Sequence, residues 1–325
     1  MLNPEAVSKA MEAALYDRNK ALTLSVERKE EVESKLPRIK EIARELSAVG
    51  AGIAKSFYSP DPQARVEALA AESLRLQAEK AQLLKAAGFS EDYLDPPFYC
   101  KRCEDTGRGE GGRLCDCIRE RAIRISLEEL AHISPSEHCS FENFSLDYYK
   151  DIKDKSGNSV YRRAQSNFQY LKAYSEDFSP NSKSLYIFGK TGLGKTHLTL
   201  AVANAVIRKG YYVIYGMAGA LFSSIEEEKF RGISGKYSMK NLLGCDLLII
   251  DDLGSEFKTS FSASVVHNII ESRLLANKPV IITTNLDINA IHAQYGERIA
   301  SRIIGEYVPI KFDGADIRQL KKFQY

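Results

Sequence analysis

Little in this sequence marks it for a membrane, an export route or an oxidising compartment. No apolar run approaches the roughly eighteen residues that a membrane span needs. The N-terminus, MLNPEAVSKAMEAAL, is charged early and lacks an apolar h-region, so no signal peptide is expected and a cytoplasmic location is. Neither sign of charge is in excess. The 45 Lys and Arg against 43 Asp and Glu leave +2, too mild to announce nucleic-acid binding, though compatible with a local basic patch. Cysteine is scarce, with six in 325 residues, and outside one cluster only Cys139 and Cys245 occur. The 44% hydrophobic share is ordinary for a globular chain with a core, and the length points to two domains rather than one.

The cluster is FYCKRCEDTGRGEGGRLCDC, residues 98–117: Cys100-x2-Cys103, eleven residues, then Cys115-x-Cys117. In a reducing compartment, close cysteines seldom form structural disulfides. A CxxC knuckle offers two thiolates to one tetrahedral ion, and a second close pair offers two more. The four glycines of EDTGRGEGGRL suit a chain that turns tightly around a small site. No thioredoxin-like strand precedes the CxxC, which argues against a redox pair. Four protein ligands leave no open position, so Cys100, Cys103, Cys115 and Cys117 are expected to form a structural zinc site. Iron is the other metal such a set could take. The unusual CxC spacing leaves His138 and Cys139 as stand-in ligands.

The residues before this cluster read as helical. Asn3 can cap, Pro4 suits a first helical position, and a charged amphipathic run continues to about residue 47. AVGAGIAKSFYSPDP is then expected to break the pattern. A second helix over about residues 63–87 carries Leu69, Leu76 and Leu83 at seven-residue spacing, with Leu74 and Leu84 beside them, a stripe that suits core packing. Gly88-Phe89 supplies a helix stop. Three sustained heptads are missing, so a long coiled coil is not expected. From residue 184 the texture changes. The runs SLYIF, YYVIY, DLLII, KPVIITT and YVPIKF alternate with helical stretches, the pattern of a parallel sheet buried on both faces. The expected architecture is α/β, a three-layer αβα core preceded by a helical domain with a cysteine knuckle. The domains are placed at residues 1–120, a lead-in at 121–183, and 184–325.

The first of these runs leads into GKTGLGKT, which fits G-x-x-x-x-G-K-[ST] through Gly189, Gly194, Lys195 and Thr196. Such a loop turns backbone amides toward phosphate oxygens and empties onto a helix N-terminus whose dipole favours an anion. Lys195 is expected on the β- and γ-phosphates of ATP and Thr196 on magnesium. Thr191, Gly192 and His197 belong to the same set of nucleotide contacts. LLIIDDLG places Asp251 at a strand tip, where it can hold magnesium, with Asp252 facing the γ-phosphate. Asp252 stands where many ATPases have Glu, and Glu256 is close enough to be a rival base. Asn285, after Thr284, could orient the attacking water. Arg298 and Arg302 are four apart and share a helix face, and either could reach a neighbour's γ-phosphate. Arg318, in GADIRQL, could touch the nucleotide from its own subunit. Cys245 reads as a small buried side chain.

GKTGLGKT, LLIIDDLG, TTN, ERIASRI and GADIR together resemble the additional-strand AAA+ ATPases of the DnaC/DnaI helicase-loader group. CSFENFSLDYY, residues 139–149, resembles the segment leading into that core. The step from Gly88-Phe89 through Tyr93-Leu94 into CKRCEDTG…CDC is similar to the zinc-bearing region of DnaI-like and phage-type loaders. The resemblance covers about residues 85–325. It implies Asn285 as sensor one, Arg302 as the finger by its Ser-Arg setting, and Arg318 as sensor two. It also implies a hexameric replicative helicase bound through the N-terminal domain, single-stranded DNA as a second partner, self-association through the ATPase domain, and slow, regulatory hydrolysis. For DNA, EEEKFRGISGKYSMK offers Lys229, Arg231, Lys236 and Lys240 with Phe230 and Tyr237, against the alternative of a solvated helix and loop. Two other readings remain. One is an IstB-like transposition helper acting on duplex DNA with a transposase, for which the knuckle is atypical. The other is a nucleotide-bound adaptor that does not hydrolyse.

Overall fold

Prolines set the helix starts of the N-terminal region. Pro4, Pro37 and Pro62 are the first residues of α1 (Pro4–Lys35), α2 (Pro37–Ser56) and α3 (Pro62–Ala86) in the computed structural model. At that position the missing N–H is unneeded and the fixed φ already suits the helix. The Asn3 side chain accepts the Glu5 N–H at 3.0 Å, the expected cap. The structure describes residues 1–56, 61–133, 139–150, 152–154, 156–232, 235–257 and 259–322. The expected single run to residue 47 is two helices, because Pro37 has no N–H to continue α1. The break expected from Ala48 does not occur before Ser56. An interior glycine costs a helix about 1 kcal/mol, but here Val49 and Ile53 pack into a core with Leu69 and Leu76. Gly52 also has a packing reason, since a Cβ there would come within 3.2 Å of Leu69 Cδ1. Residues 57–60, where the rest of the expected break falls, lie outside the described residues.

The structure divides into two compact units, residues 11–118 and residues 1–10 with 119–325. In the first, Ile42, Val49 and Leu76 form one apolar cluster with Leu69 and Leu83 at its edge. Val32, Ile39 and Leu84 form another beside Phe89 and Tyr93. The leucine stripe is therefore core, as expected, while Leu74 is exposed. Gly88 is left-handed, and the Phe89 N–H returns to the Leu84 carbonyl at 2.9 Å, closing α3. The cysteine knuckle follows and runs into α4 (Asp116–Ile133).

The second unit is built on β1 (Ser184–Phe188), β2 (Val213–Met217), β3 (Leu247–Leu253), β4 (Val280–Thr284) and β5 (Tyr307–Lys311). The strand order is β2-β3-β4-β1-β5 and every neighbouring pair is parallel. Strand β4 lies between β1 and β3, the extra strand of an additional-strand core. Parallel neighbours require crossovers. These are α6 (Lys195–Arg208), α7 (Ala218–Arg231) with α8 (Met239–Gly244), α9 (Ser260–Leu275), and α10 (Ile288–Tyr295) with α11 (Glu297–Glu306); α5 (Val160–Glu176) precedes the sheet and α12 (Ile317–Lys322) follows it. Side chains alternate between the two faces. Leu248, Ile250 and Ile282 meet α7, α9 and α11, whereas Leu247, Ile249, Ile281 and Ile187 meet α6 and α5. The three-layer αβα reading holds. Pro309 stands on β5, which among the described residues pairs only with β1, an edge position where its missing N–H is tolerated.

One buried charge holds the entries of β3 and β4 together. Arg273 on α9 is fully buried and donates to the carbonyls of Leu242 (2.6 Å), Cys245 (3.1 Å) and Pro279 (2.8 Å). Cys245 is a small buried side chain beside it, as expected, with its thiol pushed up by burial. An Arg273→Met substitution keeps bulk but strands several buried carbonyls, each worth about 1–3 kcal/mol. Urea unfolding should show a loss of about 3 kcal/mol or more; an unchanged midpoint would refute this role.

Candidate nucleotide site and metal cluster

The phosphate loop lies between β1 and α6, and its geometry follows from which backbone groups are occupied. Helix α6 starts at Lys195 with no side-chain cap, so its first amides are free for an anion. Lys195 folds back onto the carbonyls of Gly189 (2.7 Å) and Lys190 (2.8 Å). Burial holds its ammonium below the ordinary lysine value, countered in part by Asp252 and Asp251. A cation buried beside carbonyls, with two carboxylates nearby, is poised to exchange those carbonyls for phosphate oxygens. A cleft of about 500 Å³ opens here, lined by Thr191, Gly192, Gly194, Lys195, Thr196 and His197.

The acidic pair reaches the same cleft. Asp251 is buried, and its carboxylate accepts from Tyr215 Oη (2.7 Å), Thr283 Oγ1 (2.5 Å) and Thr196 Oγ1 (3.1 Å). Three hydroxyl donors fix this carboxylate against the residue expected to hold magnesium, so the pair fits a divalent ion. Strand β3 runs two residues beyond the expected tip at Asp251. The β3–β4 register shifts between Ile250 and Leu253, and Asp252 has φ 56°. Such a bulge re-aims side chains at a strand end; the Asp252 N–H bonds to Thr283 Oγ1 at 2.9 Å, and Asp252 also lines the cleft.

Other expected site residues lie elsewhere. Asn285 is exposed one residue past β4 and does not line the cleft; Thr283, two residues earlier, does. Glu256 also stands outside the cleft lining, with its carboxylate bonded to Tyr295 Oη and to the Gly254 N–H at 2.9 Å. Arg298 and Arg302 do share a face of α11, but both turn to Glu271 on α9, at 3.5 and 2.9 Å, away from the cleft. The Glu271 carboxyl is held below its usual range by Arg302 first. Arg318 on α12 does line the cleft.

Sequence reasoning missed the wall opposite the acidic pair. Asn143, Phe144, Ser145 and Tyr148 line it, and His197 spans toward them with its Nε2 2.9 Å from the Ser140 carbonyl and its ring edge-on to Phe144. The 139–149 segment is thus a wall of the site and not merely a lead-in. Of the proposed DNA-contact residues, Lys236 pairs with Glu129 at 3.3 Å and Tyr237 bonds to the Tyr215 carbonyl at 3.2 Å. Lys229, Phe230, Arg231 and Lys240 face outward. Residues 233–234 of that stretch lie outside the described residues.

In the other unit, the sulfurs of Cys100, Cys103, Cys115 and Cys117 lie within 4.8 Å of one another. Two of the edges are 3.9 Å (Cys100–Cys115) and 3.6 Å (Cys103–Cys117). Metal–sulfur bonds of about 2.3 Å at a tetrahedral centre demand sulfur–sulfur edges of about 3.8 Å, so the cluster fits one ion. Buried Asp105 accepts the N–H groups of Tyr99 and Cys100, both at 2.8 Å, and holds the first knuckle closed. The Cys115 thiol is pulled down to about 6 by the Cys117 amide first and then by Arg102, whereas burial raises Cys103 and Cys117. The stand-in ligand His138 lies outside the described residues, and the four cysteines need no substitute.

The family described as IstB-like ATP binding protein matches residues 151–307. That match spans just under half of the chain. The chain is 27% identical to the Escherichia coli K12 protein YdaV over 198 residues, which is 60% of this chain and 75% of YdaV. It is 26% identical to the replicative helicase loader DnaC of Escherichia coli K12 over 169 residues, 51% of this chain and 63% of DnaC. The crystal structure of the DnaC helicase loader, at 27% identity, covers 53% of this chain and 98% of its own with a TM-score of 0.44. No helix among the described residues is long and apolar enough to cross a membrane.

Proposed function

We propose that this protein is a cytoplasmic, ATP-dependent loader of a hexameric replicative helicase, docking through the unit that carries the cysteine cluster and gripping single-stranded DNA through the ATPase unit. The carrying observation is the convergence of Lys195, Thr196, Asp251, Asp252 and Arg318 on one cleft, in a domain whose matched relatives include proteins named replicative helicase loaders. Lys195 leaves the Gly189 and Lys190 carbonyls for the β- and γ-phosphates. Thr196 and Asp251 together hold magnesium, which neutralises charge on those phosphates when bound. Asp252 takes the proton of the attacking water, and Arg318 touches the nucleotide in its own subunit. Arg302 or Arg298 reaches a neighbouring copy after leaving Glu271, and Asn285 orients the attacking water. Hydrolysis is slow and acts as a timing step. The knuckle holds zinc, since four thiolates with no open position suit a structural ion. Lys229, Phe230, Arg231 and Lys240 contact DNA by phosphate pairing and stacking.

Asp252→Asn should lower phosphate release about 100-fold or more while retaining ATP binding, and Glu256→Gln should leave release near wild type. The reverse ranking in a phosphate-release assay would move the base to Glu256. The function itself is tested by offering the helicase a single-stranded circle coated with single-strand-binding protein and carrying an annealed strand. Strand release should require this protein and ATP and should fail with Asp251→Asn. Release that ignores this protein would sink the proposal. ATP-dependent stimulation of a transposase on duplex DNA would favour the transposition helper, the reading suggested by the IstB-like family description.

A further inference from the structure

A phosphate loop works only if its carbonyls point away from the ligand, so that its amides point in. Four of the loop's carbonyls fall into two groups. Those of Gly189 and Lys190 are held by Lys195, whose ammonium is also the group expected to meet phosphate. Those of Gly192 and Leu193 are held from outside the loop, Gly192 by the Ile317 N–H at 3.0 Å and Leu193 by Tyr149 Oη at 2.9 Å. The Ile317 bond is backbone to backbone. The Tyr149 bond is made by a side chain from the 139–149 segment.

We infer that Tyr149 is a positioning residue for the nucleotide reaction, hooking the Leu193 carbonyl outward so that the loop is set before phosphate arrives. Tyr149 is 1% exposed and packs with Val160 and Ala164, so its ring has one place to be. Burial raises its phenol well above the ordinary tyrosine value, which keeps it a donor throughout the working range. Contact with the loop is close. Gly194 has φ 81°, and a Cβ there would stand 2.9 Å from Tyr149 Oη, so the hydroxyl occupies the space a side chain would need. Five residues earlier, Phe144 lines the same cleft, stacks on Phe168 and meets His197 edge-on. One short segment therefore touches the ligand space with Phe144 and sets the phosphate cradle with Tyr149.

This inference rests on the nucleotide reading of the cleft, and the test separates the two. Tyr149→Phe removes the hydroxyl and keeps the ring. Affinities for ADP and for adenosine are measured by displacement of a fluorescent ADP analogue, with the melting temperature alongside. Wild type should bind ADP, and the variant should bind ADP about 3- to 10-fold more weakly, the range for one lost hydrogen bond. Adenosine affinity should be unchanged, so the ADP-to-adenosine ratio falls by the same factor. A merely structural hydroxyl would lower the melting temperature and leave that ratio alone, which overturns the inference. Equal loss for both ligands, or none, overturns it as well. A wild type that fails to bind ADP overturns the nucleotide reading and this inference with it.

Discussion

Lys195→Ala is expected to cut ATP affinity by about two to four orders of magnitude, since each charge-assisted hydrogen bond to phosphate is worth roughly 1.5–3 kcal/mol and two are lost. Less usually, the melting temperature should not fall. Lys195 is held below its ordinary value by burial, with two backbone carbonyls as its hydrogen-bond partners. A lysine whose folded value is depressed binds its proton less well in the native state than in the unfolded chain. Its charge therefore weakens the fold over the range where the unfolded lysine is protonated. Alanine removes that burden along with the phosphate contact. Calorimetric titration with ATP and a thermal melt of the same sample check both halves. Retained affinity would show that the phosphates do not meet Lys195, and a collapsed melt would show that the two carbonyl bonds outweigh the buried charge.

The second large effect is expected at the cysteine cluster. Structural zinc in small zinc-bound peptides is held by about 10–16 kcal/mol at neutral pH, free energy that is shared with folding. Cys103→Ser removes a buried ligand whose sulfur lies 3.6 Å from that of Cys117. Elemental analysis should find one ion per wild-type chain and none in the variant. Proteolysis should then open the 98–118 stretch, while α2 and α3 persist on their own apolar clusters. Every residue lining the nucleotide cleft belongs to the other unit, so ADP affinity should be unchanged. A wild-type chain free of metal, with an intact knuckle, would refute the site.

Much of this site is written locally and is legible for that reason. The phosphate loop, the apolar strands and the four cysteines each carry their chemistry in a few consecutive residues. What was not legible depends on register and on packing partners. Tyr215, Asp251 and Thr283 meet because parallel register sets Tyr215 against Ile249 and Met217 against Asp251, placing odd-numbered positions of β2, β3 and β4 on one face. Thr283 and Asn285 share that parity, and it is the end of β4 at Thr284 that keeps Thr283 at the acidic pair and leaves Asn285 beyond the strand. The glycines of α2 misled because the compensating contact, Leu69 against Gly52, comes from a different helix. Phe144 and Tyr149 belong to no motif of their own; Tyr149 is buried with Phe144 packed beside it, and only the loop beneath them makes them functional. Glu256 shows the converse, a residue near the acidic pair in sequence that tertiary contacts draw to Tyr295.

The most direct test of the central claim is to weigh complexes by native mass spectrometry after mixing the full chain with the host's hexameric replicative helicase, with and without ATP. The expected result is a helicase hexamer carrying several copies of this protein, lost with the metal-free Cys103→Ser variant and retained with Lys195→Ala. A helicase hexamer that carries no copy under any nucleotide condition would contradict it.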